Sequence, residues 1–221
     1  MISPNKIIGS IVYRTRIALN KNNTFKSNLQ GYYYNPNCLV KDEFSLWHYP
    51  GTNNEISNAL LLISKHPNGS RVKFPAILNF QPIRQEKHEN SITIYYNIAI
   101  VGSVKREWTT EQRETQVFDK LLRPIYEEFI RQLQSSGYFI TGYGLPSHTY
   151  YEIFTTGNAS GEIIERYGDC IDAIELHNLA LQLNTNLCNR EIKRIDEENA
   201  SVTENISKLL NLKQNDRTNK K

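Results

Sequence analysis

The side chains that could do chemistry form no recognisable catalytic or metal-binding pattern in this sequence. Five histidines stand at positions 48, 66, 88, 148 and 177, and none pairs with another at the i, i+4 spacing by which a helix holds a metal ion. No G-x-S-x-G segment offers an activated serine, no C-x-x-C pair offers a zinc or redox site, and the phosphate-binding loop G-x-x-x-x-G-K-S/T is missing. We therefore expect a protein that is not an enzyme and that uses neither a cofactor nor a metal ion.

Neighbouring carboxylates leave one catalytic alternative open, a Mg²⁺-dependent nuclease. Acidic residues occur close together at Glu127 and Glu128, at Asp169 and Asp172, and at 196–198, and carboxylate oxygens are ligands that Mg²⁺ prefers. Glu127 and Glu128 belong to the charged face of a predicted helix, and the run at 196–198 lies in a polar extension. Solvated surfaces explain these groups better than a metal site does, so a nuclease is the weakest hypothesis.

The first 41 residues carry six basic side chains and no acidic one, in a chain whose net charge is +3. A basic arm of this kind can contact nucleic acid or an acidic partner surface. The candidate DNA or partner contacts are Arg14, Arg16, Lys21 and Lys26. These charges are spread out rather than clustered, which favours a solvated arm. A nucleic-acid-binding or DNA-processing protein that uses this arm is the alternative function.

Aromatic and leucine residues outside the predicted core are candidate interface anchors. They are Tyr32, Tyr33 and Tyr34 in the turn-like segment GYYYNPN, Trp47 and Tyr49 just after it, Tyr150 and Tyr151 near a predicted strand, and Leu209 and Leu210 in a short amphipathic patch near the C-terminus. Aromatic side chains stack on single-stranded nucleic acid or anchor protein interfaces. Because no basic residues are closely interleaved with these aromatics, we expect a protein interface.

Length and composition predict one domain over residues 1–188, with 1–50 as a basic, aromatic-rich N-terminal arm and 189–221 as a polar, partly helical or disordered extension. The three cysteines are an odd number, and we expect them to be reduced thiols. The apolar stretch near the N-terminus is too short for a signal peptide, and no stretch is long enough to span a bilayer. We therefore expect a soluble, intracellular chain with no membrane partner.

Hydrophobic periodicity predicts a sheet with helices. Residues 72–80 alternate with a period of two, and Pro75 indicates an edge strand or a strand start; residues 91–102, SITIYYNIAIVG, give the clearest strand. A polar loop of about ten residues joins these two strands into an antiparallel hairpin. Thr52 with Glu55 and Thr109 with Gln112 have capping-box spacing before helical patterns. Within the second helix, Pro124 indicates a kink or a break, and we favour the kink.

The last part of the domain contains two short predicted strands and one ambiguous segment. The short strands lie at 138–142 and 149–155. Residues 170–183 fit either a helix or a strand with a bulge near His177 and Asn178, because Ile174 and Leu176 alternate out of phase with the later leucines. The predicted class is α+β, with a mostly antiparallel sheet and two helices packed on one face.

The order of these features resembles a neck or tail-completion protein of tailed bacteriophages. The resemblance covers about residues 52–183, and its most telling pieces are FPAILNFQP, the helix start T-x-E-x-R-x-x-x-V-F-x-x-L-L-R-P-I-Y and the segment D-x-I-D-A-I-E-L. It implies a tail-terminator-like fold and favours a strand at 170–183. It also implies a structural virion protein, assembled in the host cytoplasm, with no catalytic residue.

The resemblance further implies partners. Six or twelve copies would form a homo-oligomeric ring that joins the portal or adaptor to tail proteins and surrounds the channel through which genomic DNA leaves. The polar face of the strand at 91–102 would then meet another subunit or line the channel. On that face Thr93 and Tyr95 are the candidate interface residues.

Overall fold

The computed structural model describes residues 2–29, 43–65, 73–140, 144–154 and 169–202. The helices are α1 (Pro4–Lys21), α2 (Asn23–Asn28), α3 (Asn53–Ser64), α4 (Thr110–Arg113), a π-helical segment (Glu114–Leu122), α5 (Arg123–Ser135) and α6 (189–202). The strands are β1 (Trp47–Gly51), β2 (Ala76–His88), β3 (Ser91–Ser103), β4 (Phe139–Ile140), β5 (Thr149–Ile153) and β6 (Ile171–Leu183). The α+β class is confirmed.

The strands form one mixed sheet in the order β1-β2-β3-β6-β4, and β5 also pairs with β6. The β1–β2 pair is parallel and the other pairs are antiparallel. The predicted β2–β3 hairpin is therefore confirmed, and β2 begins directly after Pro75. The predicted ten-residue loop is wrong, because β2 continues to His88 and only Glu89 and Asn90 form the turn. The polar residues of this stretch are strand residues that extend beyond the core.

A bulge in β6 resolves the ambiguous segment in favour of a strand. Leu176 pairs with Ile98 and Leu179 pairs with Tyr96, so His177 and Asn178 together face Asn97. Asn178 adopts the left-handed backbone conformation, with φ 53°, and its N–H donates to Asn97 Oδ1 at 3.0 Å. The extra residue restores the phase, so the apolar residues on both sides of the bulge face the same core.

Both predicted capping boxes are present, at Thr52 with Glu55 and at Thr109 with Gln112. The second helix neither stops at Pro124 nor continues as a regular α-helix. Its residues 114–122 are π-helical, and the Arg123 N–H bonds to the Phe118 carbonyl five residues earlier. Pro124 lacks an N–H and stands in the first turn of α5. A change of hydrogen-bond register therefore accommodates this proline.

Helices cover both faces of the sheet, so the prediction of two helices on one face is wrong. The alternating residues of β3 show why. Ile98 and Ile100 pack towards α1, the π-helical segment and α5, whereas Ala99 and Val101 pack under α3. The sheet residues that pack with α3 also include Ala76, Leu78 and Ala173.

The N-terminal segment is part of the core and not an arm over its described length. The helical spacing of its apolar residues places Ile7, Ile8, Ile11 and Val12 at full burial. At the other end of the chain, α6 buries Ile195 and Val202 in the same core. Gly9 permits this close packing, because a Cβ at that position would stand 1.9 Å from Asn199 Oδ1.

We predict that Gly9→Ala lowers the free energy of unfolding by about 1 to 2 kcal/mol, because the added methyl group displaces Asn199 and with it α6. The loss should be smaller when Asn199→Ala is already present, since the obstructing side chain is then absent. Urea denaturation of the two single variants and the double variant measures this coupling.

Gly144→Ala is the matched control, because no atom lies within 4 Å of the position that its Cβ would take. An equal effect of Gly9→Ala in both backgrounds would contradict the contact between Gly9 and Asn199.

Candidate interaction surface

Arg14, predicted to contact DNA or a partner, is used inside the molecule. Its Nε donates to Glu198 Oε2 at 3.0 Å, and its guanidinium carbon lies 4.5 Å from the centre of the Tyr138 ring. Tyr138 also receives a hydrogen bond from Arg194 of α6. The docking of α6 on α1 thus leaves the Arg14 side chain 15% exposed. The structure removes Arg14 from the candidate DNA contacts.

The other three basic candidates differ in how far they are exposed. Arg16 is half-buried, with its guanidinium over the Tyr13 ring, and burial lowers the pKa of Arg16. Lys26 is half-buried in α2, and Lys21 alone of the four is exposed. Arg14 and Arg16, two residues apart on α1, point to different sides of the helix, so their closeness in sequence does not place them on one surface.

Trp47, a candidate interface residue, lies in the core under α3 and is 4% exposed. The prediction of an exposed interface residue is wrong, because Trp47 belongs to β1 and covers the α3 side of the sheet. Tyr49 is buried beside it. The other candidates of this group, Tyr32, Tyr33, Tyr34, Leu209 and Leu210, lie outside the described residues.

Thr93 and Tyr95 lie on a part of the sheet that no described helix covers. The α3 side of β3 is divided in two, because Ala99 and Val101 are buried whereas Thr93, Tyr95 and Asn97 are partly or fully exposed. We call this uncovered region the open face; it comprises Arg84, Glu86, Thr93, Tyr95, Asn97, Glu175, His177 and Gln182.

Tyr95 is held in place by its two neighbours on β2. The Arg84 guanidinium carbon lies 4.0 Å from the Tyr95 ring centre, and the Tyr95 hydroxyl donates to Glu86 Oε2 at 2.7 Å. The hydrogen bond to the Glu86 carboxylate raises the pKa of Tyr95. These contacts present an ordered aromatic ring with a balanced pair of charges.

Two grooves border the open face. One, of about 370 Å³, is lined by Thr93, Ile140, Leu145, Pro146, Ala180 and Gln182. The other, of about 520 Å³, lies beside the start of α3 and is lined mainly by Asn53, Phe80, Asn97, Glu175, His177 and Asn178. Their linings combine amide groups with apolar side chains, so they offer hydrogen bonds and apolar contact to a partner.

Glu175 and His177 are the titratable pair of the open face. His177 Nε2 lies 2.8 Å from Glu175 Oε2, and the His177 ring contacts Tyr151 with centres 5.2 Å apart. Both side chains are partly exposed. These contacts link Glu175, His177 and the Tyr151 ring at the margin of the open face.

Most of the carboxylates considered for a Mg²⁺ site have basic partners in the structure. Asp169 pairs with Lys73 at 2.6 Å, Asp172 pairs with Arg113 at 3.1 Å, and Glu128 pairs with Arg131 at 2.5 Å. Across the described ranges, no group of three or more His, Cys, Asp or Glu residues could hold a metal ion. These ion pairs give Asp169, Asp172 and Glu128 structural roles.

The outer edge of the sheet carries most of the exposed large hydrophobic side chains. Of the six such side chains in the described part of the chain, five lie on β4, on β5 or on the segment between them: Ile140, Leu145, Tyr150, Tyr151 and Ile153. The expected exposure of Tyr150 and Tyr151 is confirmed. We call β5 and these neighbours the open edge. Sequence periodicity could not identify the open edge as a candidate site, because β5 is short and has exposed side chains on both faces.

Arg123 fixes β5 to the π-helical segment. Its Nε and NH2 atoms donate to the two carboxylate oxygens of Glu152, each at 2.8 Å, and it also pairs with Glu114 and Asp119. The hydrogen bond from Arg123 lowers the pKa of Glu152. Phe154 packs on Phe118 with ring centres 4.5 Å apart. The open edge is therefore held firmly although it is exposed.

The comparisons with known proteins were negative. No family model, curated protein or solved structure matches this chain. The described residues also contain no helix both long enough and apolar enough to cross a membrane. The geometry of the open face and the open edge therefore carries the functional interpretation.

His48 lies in the interior, where its ring is fully buried between β1, α1 and α6. Burial lowers the pKa of His48 to about 3, and its Nδ1 would stand 3.0 Å from a Cβ at Gly9. A histidine in an unfolded chain has a pKa of about 6.5. Between these two values the unfolded chain binds a proton that the folded chain does not, so folding becomes less stable as the pH falls.

We predict that wild-type stability falls by about 1 to 2 kcal/mol between pH 6.5 and 5 because of His48. His48→Leu should remove most of this pH dependence, and urea denaturation at several pH values measures it. His88→Leu, at an exposed position of β2, is the matched control and should keep the wild-type slope. The same slope in His48→Leu and wild type would show that His48 is not the responsible group.

Proposed function

We propose that this chain is a structural subunit of the neck of a tailed bacteriophage. Six or twelve copies form a ring with tail-terminator-like subunits, which joins the portal or head-completion assembly to the tail and surrounds the DNA exit channel. The observation that carries the proposal is the open face. It is an ordered, solvent-accessible part of the sheet on which Tyr95 is held between Arg84 and Glu86.

An ordered aromatic residue suits a contact between subunits. The contacts of Tyr95 reduce its freedom before any partner binds, so less entropy is lost on association. The grooves beside Thr93 and Asn97 add amide and apolar groups, which is the mixture found in interfaces that form after folding. The resemblance described above supports assigning this contact to a ring of the phage neck.

The charge distribution supports a channel wall better than a DNA-reading surface. Tight binding to a duplex requires several accessible basic groups on one surface, whereas Arg14 is paired with Glu198 and Arg16 is half-buried. A channel wall whose positive and negative charges nearly balance lets a duplex slide past. No observation on the described residues favours the alternative of a DNA-processing protein over the ring.

We predict that Tyr95→Asp lowers the assembly of the purified protein at least tenfold, because it removes the aromatic anchor and adds a carboxylate beside Glu86. Mass photometry and negative-stain imaging, with the protein alone and with portal or tail proteins, measure the fraction of rings. Thr93→Asp should act in the same direction. Thr110→Asp, at an exposed position at the start of α4, is the control and should assemble normally.

A wild-type protein that stays monomeric alone and with these partners would contradict the ring. Rings that form normally from Tyr95→Asp would keep the ring but contradict the role of the open face. Thermal unfolding of each variant checks that a loss of rings does not result from a loss of the folded structure.

A further inference from the structure

The two outermost five-residue strands of the sheet differ in how they are protected from pairing with another chain. β1 is buried at four of its five positions and contains Pro50, which cannot donate a ladder hydrogen bond. β5 is exposed at four of its five positions and contains neither proline nor lysine. Proline, charged side chains and shortness commonly protect the edge strands of monomers. The one charged residue of β5, Glu152, is bound by Arg123 within the molecule. β5 therefore has the properties of a strand that pairs with a partner.

Both faces of β5 carry large side chains that are partly open to solvent. Tyr151 and Ile153, on one face, are 49% and 38% exposed, and Tyr150, on the other, is 37% exposed. Among the described strands, β5 pairs with β6 alone. A partner that lay on one face of β5 would leave the other face exposed. A partner strand beside β5 places side chains next to the exposed ones on both faces.

We propose that β5 is a self-association site, at which the β5 strands of two copies pair antiparallel about a two-fold axis at Tyr151. The occupant of the open edge is thus the same edge of a second copy. A two-fold contact requires a surface that is complementary to itself, and the sequence of β5 meets this condition.

The proposed register opposes compatible side chains at every position. Tyr151 lies opposite Tyr151 of the second copy, Thr149 opposite Ile153, and Tyr150 opposite Glu152. Aromatic and β-branched cross-strand pairs stabilise sheets, and directly opposed like charges destabilise them. Glu152 is the only charged residue of β5, and here it faces a tyrosine hydroxyl. A register centred on Glu152 would oppose two carboxylates.

The open edge is also ordered before a second copy arrives. Arg123 binds both carboxylate oxygens of Glu152, and Phe154 packs on Phe118 directly after the strand. These contacts fix the strand on the molecule, so pairing costs little ordering entropy. They also balance the charge of Glu152, which lowers the cost of placing two copies of it near one axis.

This contact is different from the ring contact proposed on the open face. Subunits in a ring meet through two different surfaces, whereas the β5 pair uses one surface twice. The pairing does not rest on the proposed function.

Cysteine cross-linking tests the register. In a chain whose cysteines at 38, 170 and 188 are replaced by serine, Tyr151→Cys should form a disulfide-linked dimer on mild oxidation, because residue 151 opposes itself. Thr149→Cys alone should not, but a mixture of Thr149→Cys with Ile153→Cys should give the mixed dimer. Equal cross-linking of Thr149→Cys and Tyr151→Cys alone, or none in any combination, overturns the proposal.

A charge at the axis tests the association without cysteines. Tyr151→Lys should raise the dissociation constant of the dimer at least tenfold in sedimentation, because two lysines would then face each other. Leu62→Lys, at the exposed hydrophobic residue on α3, is the control and should leave it unchanged. An unchanged constant for Tyr151→Lys, or a wild-type chain without dimers, overturns the proposal.

The two proposals fail independently. Rings that form from Tyr151→Lys while its two-fold dimer is lost support both contacts. A Tyr95→Asp chain that still cross-links through Tyr151→Cys supports the β5 contact even if no ring forms.

Discussion

The pairing of β3 with β6, with its bulge opposite Asn97, is the constraint on which the rest of the molecule depends. Two residues oppose one at this point, so the apolar residues of β6 on both sides of the bulge reach the same core. Without the extra residue, the leucines that follow Asn178 would turn to the opposite face. On its other side, β6 pairs with β5 before the bulge and with β4 beyond it. The bulge therefore determines which residues of β6 face the core. It also lies where the outer neighbour of β6 changes from β5 to β4.

Helices from the two ends of the chain complete the core on one side of this sheet. α1 and α6 meet at Gly9 and Asn199, and the pair between Arg14 and Glu198 closes the contact. A partly buried ion pair contributes little net stability after its desolvation cost, but it specifies how the two helices fit together. The same contact removes a basic group from the surface. The open face, which is available to a partner, is rich in aromatic and amide groups and carries little excess charge.

The open face and the open edge offer two kinds of association. On the face, side chains such as Tyr95 present anchors to a partner's surface. On the edge, the backbone of β5 can extend the sheet, and its side chains only have to be compatible. Contacts of the first kind suit the repeated, unequal surfaces of a ring, and contacts of the second kind suit a two-fold axis. One small sheet can support both because Arg123 holds β5 in place at the margin of the open face.

Features that depend on neighbours in sequence could be predicted, and features that depend on distant segments could not. The capping boxes at Thr52 and Thr109, the period-two pattern of β3 and the phase change near Asn178 involve residues a few positions apart, so the chain alone revealed them. The burial of Arg14 depends on α6, which packs on it from far along the chain. The burial of Trp47 depends on the pairing of β1 with β2 and on packing with Ile171 and Ala173 of β6. The local pattern of α1 shows an apolar stripe but not that Asn199 fits against Gly9. The same distinction applies to the candidate surfaces. Strand alternation predicts which face of the sheet carries Tyr95, but whether that face is exposed depends on where the helices end. Long-range packing determines which side chains remain accessible to a partner.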